Sequence, residues 1–230
     1  MLKRIWLEWR GLMIFLIVMV LFRSAIADWN QVPTGSMKPT ILEGDRVIVN
    51  KMAFGLRVPL TAIQLLSWDK PLHGDIVTFL SPEDDQLLIK RVIGVPGDQV
   101  AMINNQLTIN GVPAAYQSLD DVNFDFSELS TIDRYRHRFF LETTPFSQRA
   151  IMLEPGPSPA INSFGPIQVP EEQYLVLGDN RDNSKDSRFI GFVAANRITG
   201  RAHTVAFSVD YEDYYLPRSN RFLKSLTINP

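Results

Sequence analysis

Residues 87–93 read Leu-Leu-Ile-Lys-Arg-Val-Ile, an apolar run with a lysine and an arginine at its centre. The run is short and contains several β-branched residues, which predicts a buried β-strand. Because side chains alternate across a strand, Leu88, Lys90 and Val92 are expected on one face. Burial disfavours the charged form of an amine, so Lys90 is a candidate for a base that is neutral near pH 7. The alternative is a lysine at the edge of a sheet with its ammonium in water.

Turn signals on both sides of this run indicate that most of the chain is β. Four Gly-Asp pairs occur after residue 30, at 44–45, 74–75, 97–98 and 178–179. Such turns commonly begin strands, and three of them precede short runs with β-branched residues, at 46–49, 76–79 and 99–103. Asn104-Asn105 predicts the turn of a hairpin between residues 100–103 and 106–109. Long helical periodicity is absent after residue 30, so we predict a mostly β fold.

Composition limits the function classes. The chain has 230 residues, 45% of them hydrophobic, which is enough for one sizeable core and a smaller lobe. A net charge of −2 does not indicate a nucleic-acid partner. The chain has no cysteine, which excludes a cysteine nucleophile, disulfides and thiolate metal sites. The three histidines, His73, His137 and His203, are not at a metal-ligand spacing, so we expect no metal.

The amino terminus predicts a membrane anchor. Residues 11–22 are twelve residues without a polar side chain, and apolar flanks extend the span to about 20 residues, the length of a membrane-crossing helix. Arg10 and Arg23 would place their charged ends at the two interfaces. Basic residues at positions 3, 4 and 10 precede the span, so the N-terminus is predicted to be cytoplasmic and everything after Asp28 to lie outside.

Two other interpretations of this segment stay open. The basic start, the short apolar core and Ala25-Ile26-Ala27 also fit a signal peptide that is cleaved after Ala27. A buried helix of a soluble protein is the third interpretation. It is disfavoured because apolar residues all round the helix leave no polar face.

The composition changes between about residues 111 and 165, which are richer in Asp, Ser, Pro and aromatic residues. We therefore predict an inserted, smaller β and loop subdomain at 111–165. The other predicted regions are a cytoplasmic start and anchor at 1–28, a catalytic β core formed by 29–110 and 166–210, and a C-terminal tail at 211–230.

A second segment, residues 33–40 with the sequence Pro-Thr-Gly-Ser-Met-Lys-Pro-Thr, presents a serine in a stiff turn. Gly35 lets the backbone turn tightly and lets a carbonyl approach, while the two prolines stiffen the loop. A serine hydroxyl is a weak nucleophile unless a base accepts its proton. Taken alone, a turn serine is usually structural. Paired with Lys90, Ser36 suggests a hydrolase in which a neutral amine replaces the usual histidine.

Residues 178–188, Gly-Asp-Asn-Arg-Asp-Asn-Ser-Lys-Asp-Ser-Arg, form a third, very polar segment. Such a loop needs internal hydrogen bonds to hold its shape against a core. Asp186 and Arg188 are candidates for a structural ion pair. The hydroxyl of Ser184 is a candidate to orient the lysine amine.

Together these segments resemble the bacterial type I signal peptidases, membrane-bound Ser/Lys endopeptidases that remove signal peptides from exported proteins. The resemblance extends from the anchor to about residue 205, and four blocks carry it, at 33–40, 44–51, 89–100 and 178–193. The first and last blocks are highly specific. Gly-Asp-Asn-Arg-Asp-Asn-Ser followed by Asp-Ser-Arg is rarely found elsewhere.

The resemblance implies a role for each matching position. It implies that Ser36 is the nucleophile and Lys90 the general base. It also implies that the Ser36 backbone N–H and the Thr34 hydroxyl form the oxyanion hole, and that Ser184 orients the lysine amine. The remaining matches are a pair that supports the site, Asp186 and Arg188, and two residues that line the substrate pocket, Val32 and Ile89.

As a whole, the resemblance implies a signal peptidase that cleaves secretory precursor proteins in contact with membrane lipid and without a metal or cofactor. The chain is expected to cross the plasma membrane once, with its catalytic domain on the periplasmic or extracytoplasmic side. Lys38 and Lys185 depart from the family pattern. We expect these two lysines to add positive charge near the site.

Three other functions stay open. A specialised member of the same superfamily would mature one pilin or conjugative-transfer substrate. A Ser/Lys self-cleaving repressor would carry a DNA-binding domain at its N-terminus, where this chain has an apolar segment. An inactive, membrane-tethered module that holds signal peptides would tolerate the loss of Ser36 or Lys90, yet both residues are present.

Overall fold

The computed structural model describes residues 9–16, 18–20, 27–58, 61, 63–121, 124–156, 161–211 and 213–226. These residues are mostly β, which confirms the fold class predicted from the turn pattern. The strands in this part of the chain are β1 (Ala27–Gln31), β2 (Asp45–Asn50), β3 (Gly55–Arg57), β4 (Gln64–Ser67), β5 (Ile76–Leu80), β6 (Leu87–Gly94), β7 (Gln99–Ile103), β8 (Gln106–Ile109), β9 (Val112–Pro113), β10 (Ala115–Ser118), β11 (Arg138–Thr143), β12 (Gln148–Leu153), β13 (Phe164–Gln168), β14 (Gln173–Leu177), β15 (Val193–Ala194), β16 (Ile198–Asp210), β17 (Leu216–Pro217) and β18 (Lys224–Ser225).

The helical segments in the described chain are short. Residues 9–16 and 18–20 are helical, and two α-helices follow at Thr131–Arg136 and Ser187–Ile190. Single turns of 3₁₀-helix occur at Gly35–Met37, Leu119–Asp121, Arg181–Asn183, Ala195–Arg197 and Ser219–Arg221.

The predicted anchor at 1–28 lies only partly in the described chain. Residues 1–8, 17 and 21–26, which include most of the alternative cleavage motif, lie outside the described residues. Within the residues that are described, no helix is both long enough and apolar enough to cross a membrane.

The main sheet carries the two segments that hold Ser36 and Lys90. Its strands run in the order β1-β2-β16-β5-β6-β14-β15, and β17 and β18 also pair with β16. β5 and β6 are antiparallel, with Val77 opposite Lys90. β14 joins the other edge of β6 only from Arg91 onward. Residues 87–90 therefore have β5 on one edge and no partner on the other among the described strands.

Three smaller sheets surround the main one, in the orders β13-β7-β8-β9, β10-β11-β12 and β3-β4. The predicted hairpin is confirmed, because β7 and β8 pair across Asn104 and Asn105, both with positive φ. The predicted insertion, 111–165, supplies all of the β10-β11-β12 sheet. The strands at its two ends, β9 and β13, pair with β8 and β7 instead. The bounds of the insertion stay a prediction.

The described part of the C-terminal tail packs against the main sheet. β17 and β18 pair with β16, and Arg221 between them is fully buried. Its guanidinium donates to both carboxylate oxygens of Asp45, at 2.9 and 2.6 Å, and to the Thr40 carbonyl oxygen at 3.1 Å. The tail thus braces the end of the loop that carries Ser36.

A core cluster fixes the Ser36 loop to the main sheet. Met37 and Ile41, on the C-terminal side of Ser36, and Val32, on its N-terminal side, are all buried in this cluster. Burying a side chain of this size stabilises the fold by about 1.5–3 kcal/mol. Their partners come from β2, β5 and β16: Val47, Val49, Ile76, Ala202 and Val205.

Candidate active site

Ser36 lies in the single 3₁₀ turn Gly35–Met37, just after β1. Met37 is fully buried and Ser36 is 8% exposed. A Cβ atom at Gly35 would lie 2.6 Å from Glu43 Oε1 and 3.1 Å from Lys38 Cδ, so a larger residue there would require these two side chains to shift. The packed neighbours and the glycine hold the Ser36 hydroxyl beside β6.

The Lys90 amine lies next to this hydroxyl. Lys90 Nζ is 2.8 Å from Ser36 Oγ and 2.8 Å from the Ile89 carbonyl oxygen. The lysine is 3% exposed. Burial lowers the pKa of Lys90 to about 8, and the negative charges of Asp186 and Asp179 partly oppose that shift. A buried amine whose pKa lies near neutrality can accept a proton from the serine.

The next residue, Arg91, is also buried but has a full set of partners. Its Nε and Nη2 atoms donate to Asp179 Oδ1 and Oδ2 at 2.9 and 2.7 Å, and its Nη1 atom donates to the Gly74 carbonyl oxygen at 2.9 Å. The Thr40 hydroxyl donates to Asp179 Oδ2 at 2.6 Å. Asp179 therefore ties β6 to the end of the Ser36 loop, and its carboxylate is engaged by Arg91 rather than by Lys90.

Asp186 and Arg188 form a bidentate ion pair behind the site. Arg188 Nε and Nη2 each lie 2.8 Å from a carboxylate oxygen of Asp186. Asp186 Oδ2 also accepts the Gly178 N–H at 2.9 Å, and Arg188 Nη2 donates to the Arg181 carbonyl oxygen. The pair closes residues 178–188 into a rigid loop.

Ser184 is buried in this loop, and its hydroxyl has no hydrogen-bond partner among the described residues. The structure therefore places Ser184 in the site without a hydrogen bond to Lys90. Its hydroxyl packs against Gly178, where a Cβ atom would lie 2.2 Å from Ser184 Oγ. The role in orienting the lysine stays a prediction.

Asn180 makes contacts that the sequence did not indicate. Its Nδ2 atom donates to the Gly35 carbonyl oxygen at 3.1 Å, and its backbone N–H donates to the Ser36 carbonyl oxygen at 3.1 Å. The loop at 178–188 therefore holds the nucleophile segment directly. The only sequence signal was the position of Asn180 inside a specific block, which carries no information on its partner.

Glu142 on β11 also makes contacts that the sequence did not indicate. It is fully buried and accepts hydrogen bonds from Arg149 Nε at 2.5 Å and Arg181 Nη2 at 2.7 Å. Burial alone would raise the pKa of Glu142, but the charges of Arg149 and Arg181 lower it to about 2. Because Arg181 belongs to the loop at 178–188, Glu142 connects that loop to the β10-β11-β12 sheet.

A cleft of about 160 Å³ opens beside the Ser36 and Lys90 side chains. Residues 30–34 form one wall and residues 86–90 the other. Val32 and Ile89, the predicted pocket residues, both line it, and so does Thr34. Thr34 is exposed, and its hydroxyl does not cap the 3₁₀ turn. The structure thus brings Ser36, Lys90, Thr34, Val32 and Ile89 to one cleft.

The expectation that Lys38 adds positive charge was wrong. Lys38 Nζ lies 2.6 Å from Glu43 Oε2 and 2.8 Å from Asp133 Oδ2. Burial disfavours its charged form, but the hydrogen bonds from its amine to Asp133 and Glu43 raise the pKa of Lys38. Two carboxylates around one ammonium leave no excess of positive charge. The sequence did not reveal this pairing because Asp133 lies on a short helix almost a hundred residues downstream and reaches Lys38 only in the folded chain.

The same expectation was wrong for Lys185. Its amine lies 2.6 Å from Glu83 Oε2 and 3.8 Å from Asp84 Oδ2. The side chains of Lys185 and Glu83 are 52% and 58% exposed, and that of Asp84 is 35% exposed. The β5–β6 turn therefore supplies acidic partners that offset the charge of Lys185.

Comparisons with known proteins agree with the resemblance seen in the sequence. A family model described as "Signal peptidase, peptidase S26" matches residues 6–207. Signal peptidase I of Pseudomonas fluorescens is 33% identical over 205 residues, covering 84% of this chain and 69% of that protein. Signal peptidase I of Rickettsia typhi is 33% identical over 211 residues, covering 83% and 76%.

Among solved structures, a signal peptidase I from Enterococcus faecalis is 36% identical, with a TM-score of 0.36, and covers 59% of this chain and 98% of that chain. The family model spans well over half of the present chain, and the Pseudomonas relative is matched over more than two thirds of its length. The prediction of a signal peptidase is thereby confirmed, and the chain belongs to the signal peptidase family, peptidase S26.

Proposed function

We propose that this chain is a membrane-bound serine endopeptidase that cleaves signal peptides from exported precursor proteins, with Ser36 and Lys90 as a catalytic dyad. One observation carries the proposal: the buried Lys90 amine lies 2.8 Å from the Ser36 hydroxyl oxygen. With a pKa of about 8, about a tenth of the lysine is neutral at pH 7. That fraction is enough for a general base in a positioned site.

In the acylation step, neutral Lys90 Nζ accepts the hydroxyl proton of Ser36 while Ser36 Oγ bonds to the carbonyl carbon of the scissile peptide. The electron pair of the C=O double bond moves to oxygen and gives a tetrahedral oxyanion. When this intermediate collapses, the C–N bond breaks and the leaving nitrogen takes the proton from Lys90. The products are an ester on Ser36 and the free amino terminus of the mature protein.

In the deacylation step, Lys90 Nζ accepts a proton from a water molecule whose oxygen attacks the ester carbonyl carbon. Collapse of the second tetrahedral intermediate breaks the bond to Ser36 Oγ, which takes the proton back from Lys90. The signal peptide leaves as a carboxylic acid and ionises in water. The cycle needs no metal or organic cofactor.

The Ser36 backbone N–H and the Thr34 hydroxyl are the proposed oxyanion donors. Thr34 lines the cleft beside Ser36, and its hydroxyl is not used to cap the adjacent turn. Donors that point at the developing charge before the reaction are worth about 3 kcal/mol each. The Ser36 N–H belongs to the nucleophilic residue itself. The turn that positions the Ser36 hydroxyl therefore also positions this N–H.

Ser184, Asp186 and Arg188 are the proposed support for this dyad. The buried Ser184 hydroxyl, which has no hydrogen-bond partner among the described residues, is available to bind the Lys90 amine once a substrate draws the Ser36 hydroxyl away. Asp186 anchors the loop through the Gly178 N–H. Its charge also acts on Lys90, because it favours the ammonium form and keeps the pKa from falling further.

The cleft favours an extended substrate with small side chains. Residues 87–90 have one edge without a strand partner in the described chain, so a precursor segment can add there as a further strand. Such pairing leads its scissile carbonyl past Ile89 toward Ser36. A volume of about 160 Å³, shared by the whole cleft, leaves little room for large side chains next to Val32 and Ile89.

Residues 1–28 contain the proposed anchor, which crosses the plasma membrane once from a cytoplasmic N-terminus to an extracytoplasmic catalytic domain, and the last two of them, Ala27 and Asp28, already belong to β1. The apolar run at 11–22 supports this. A second support is the β3–β4 hairpin, which exposes Leu65 and Leu66, with the exposed Trp68 just after it. The hairpin follows Asn50, which pairs with Ala27 at the start of β1. These exposed apolar side chains thus come shortly after the strand position that pairs with the end of the proposed anchor. Anchoring enzyme and precursor in one bilayer raises their effective concentration.

The proposal assigns residues 29–110 and 166–210 to the catalytic β core, 111–165 to an inserted subdomain and 211–230 to a tail. Two buried contacts support a structural role for the added parts. Glu142 of the insertion forms an ion pair with Arg181 of the core. Arg221 of the tail forms an ion pair with Asp45 of the core. The Asp45 carbonyl oxygen accepts the Val32 N–H, and Arg181 follows Asn180, whose N–H donates to the Ser36 carbonyl oxygen.

The test uses the full-length chain in detergent, a labelled precursor and sequencing of the new amino terminus. Ser36→Ala and Lys90→Ala are each expected to lower processing by at least about 10⁴-fold while the chain stays folded, because a nucleophile and its base act as one unit. Lys70→Ala is the control, since the Lys70 and Glu172 side chains form an exposed pair. Processing by Ser36→Ala at a rate near that of the parent would exclude the dyad.

Several unrelated precursors are run in the same assay. Cleavage of most of them indicates a general signal peptidase, and cleavage of a single one indicates a dedicated enzyme.

A further inference from the structure

We propose that Asn180 is a positioning residue that fixes the Gly35–Ser36 peptide so that the Ser36 N–H faces the oxyanion. This inference rests on the proposed function, because it concerns the oxyanion hole of the same site. It assigns a task to a buried side chain that neither the dyad nor its support uses.

The first observation is the hydrogen bonding of the Gly35 carbonyl. Its oxygen accepts from Asn180 Nδ2 at 3.1 Å and from the Lys38 backbone N–H at 3.1 Å. This carbonyl and the Ser36 N–H belong to one planar peptide, in which the two groups point in opposite directions. Two donors on the oxygen therefore fix the direction of the N–H as well.

The second observation is the contact on the other side of the nucleophile. The Asn180 backbone N–H donates to the Ser36 carbonyl oxygen at 3.1 Å. A Cβ atom at Gly178 would lie 2.5 Å from that same oxygen, so the two backbones touch here. Asn180 thus binds the peptide groups before and after Ser36, and rotation of either one breaks a hydrogen bond to it.

The third observation is that the Asn180 side chain is a poor choice for stability alone. Asn180 is 2% exposed, and its Oδ1 atom is buried without a hydrogen-bond partner in the described chain. An unpaired buried oxygen is unfavourable. The opposite orientation of the amide would place Oδ1 against the Gly35 oxygen, so the donor must face the loop. The useful part of the side chain is its N–H group.

Asn180 is itself held from both sides. Asp179 before it is paired with Arg91, and the Asn180 carbonyl oxygen accepts the Asn183 N–H at 3.2 Å. The donor therefore needs no rearrangement when the reaction begins. Pre-oriented groups of this kind stabilise the transition state without changing how the ground-state substrate binds.

The experiment compares Asn180→Asp and Asn180→Ala with the parent chain in detergent, on a peptide substrate. Asn180→Asp keeps the shape but sets a carboxylate oxygen against the Gly35 oxygen, and Asn180→Ala removes the donor without adding charge. Asn183→Asp is the matched control, because Asn183 lies in the same loop and its side chain is exposed. Rates are expressed per folded molecule.

Both Asn180 variants are expected to lower kcat by about tenfold to a hundredfold, less than the 10²–10³-fold cost of removing an oxyanion donor outright. KM is expected to stay within about twofold, since ground-state binding does not use the donor. A peptide aldehyde, which adds the Ser36 hydroxyl across its C=O bond to form a hemiacetal, is expected to bind more weakly by the same factor as kcat falls. Asn183→Asp is expected to change none of the three.

The inference is overturned if either Asn180 variant keeps the parent kcat. It is also overturned if kcat falls while aldehyde affinity stays at the parent value, because the loss then does not arise in the oxyanion hole. Ser36→Ala in the same assay separates the two proposals. If Ser36→Ala still cleaves the peptide, the proposed function fails; if it is inactive and the Asn180 variants resemble the parent, only the role of Asn180 fails.

Discussion

Lys90 and Arg91 are neighbours on β6, and both are buried, yet their surroundings differ. Arg91 donates to both oxygens of Asp179 and to the Gly74 carbonyl. Among the described residues, Lys90 Nζ hydrogen-bonds only the Ser36 hydroxyl and the Ile89 backbone carbonyl. One strand therefore carries a cation that is paired with a carboxylate and an amine that has no carboxylate within hydrogen-bond distance in the described chain.

The difference shows how one fold keeps a structural charge and a reactive amine side by side. Moving a charge out of water is costly unless a well-placed counter-charge offsets it. Asp179 does this for Arg91 in a geometry that suits a guanidinium. The charges of Asp179 and Asp186 act on Lys90 only at longer range. The effect of burial on the amine is therefore larger than the effect of these charges, and the pKa of Lys90 falls to about 8.

The largest change is expected on removing the counter-charge of Arg91. Asp179→Asn leaves a buried guanidinium without its carboxylate, which should lower the free energy of unfolding by about 3–5 kcal/mol. Urea titration of the full-length chain in detergent measures this. Glu83→Gln is the control, because the exposed pair of Glu83 and Lys185 contributes at most about 1 kcal/mol. Equal stability of the two variants would show that the Arg91 pair is not structurally important.

Removal of the Lys90 amine is expected to have the opposite effect on stability, an increase in the free energy of unfolding near pH 7. The folded pKa of Lys90, about 8, lies below its ordinary value of 10.5, so the unfolded chain holds the proton more tightly. Folding of the parent therefore becomes more favourable as pH rises from 8 to 10.5. Lys90→Met lacks this gain.

The stability advantage of Lys90→Met over the parent should thus shrink by about 3 kcal/mol between pH 7 and pH 10.5. Urea titrations of both proteins at a series of pH values measure the difference. A difference that does not change across this range would mean that burial leaves the amine unperturbed.

The smallest effect is expected at the surface. Lys185→Gln removes an exposed ammonium that two acidic side chains already offset, so kcat/KM for a peptide substrate should change by less than about twofold. A tenfold change in kcat/KM would show that the charge of Lys185 does act on substrate cleavage.

Local features of the sequence were sufficient to predict β6 and the β7–β8 hairpin, whereas the pairing of Ser36 with Lys90 relied on their residue types and on the resemblance to a known family. Strand alternation and turn residues act over a few positions, so they can be recognised without a structure. The resemblance to a known family supplied Thr34, Val32 and Ile89. These three residues belong to the segments that form the cleft walls.

The partners that come from distant segments were not predictable. The ion pairs are Arg91 with Asp179, Lys38 with Asp133, and Arg221 in the tail with Asp45. Each pair depends on how loops pack after the strands have formed, and a charged residue in a loop has no local pattern that identifies its partner. For that reason the sequence suggested free charge at Lys38, where the folded chain has two acidic neighbours.

The pH dependence of kcat/KM tests the reactive state of Lys90 most directly. The full-length chain is assayed on a peptide substrate from pH 6 to pH 10.5, with Lys185→Gln as the lysine control. Because only neutral Lys90 can accept the Ser36 proton, kcat/KM should rise about tenfold per pH unit and level off above pH 8, in both proteins. A rise that continues to pH 10 or beyond, or a rate independent of pH, would contradict a base whose pKa is lowered by burial.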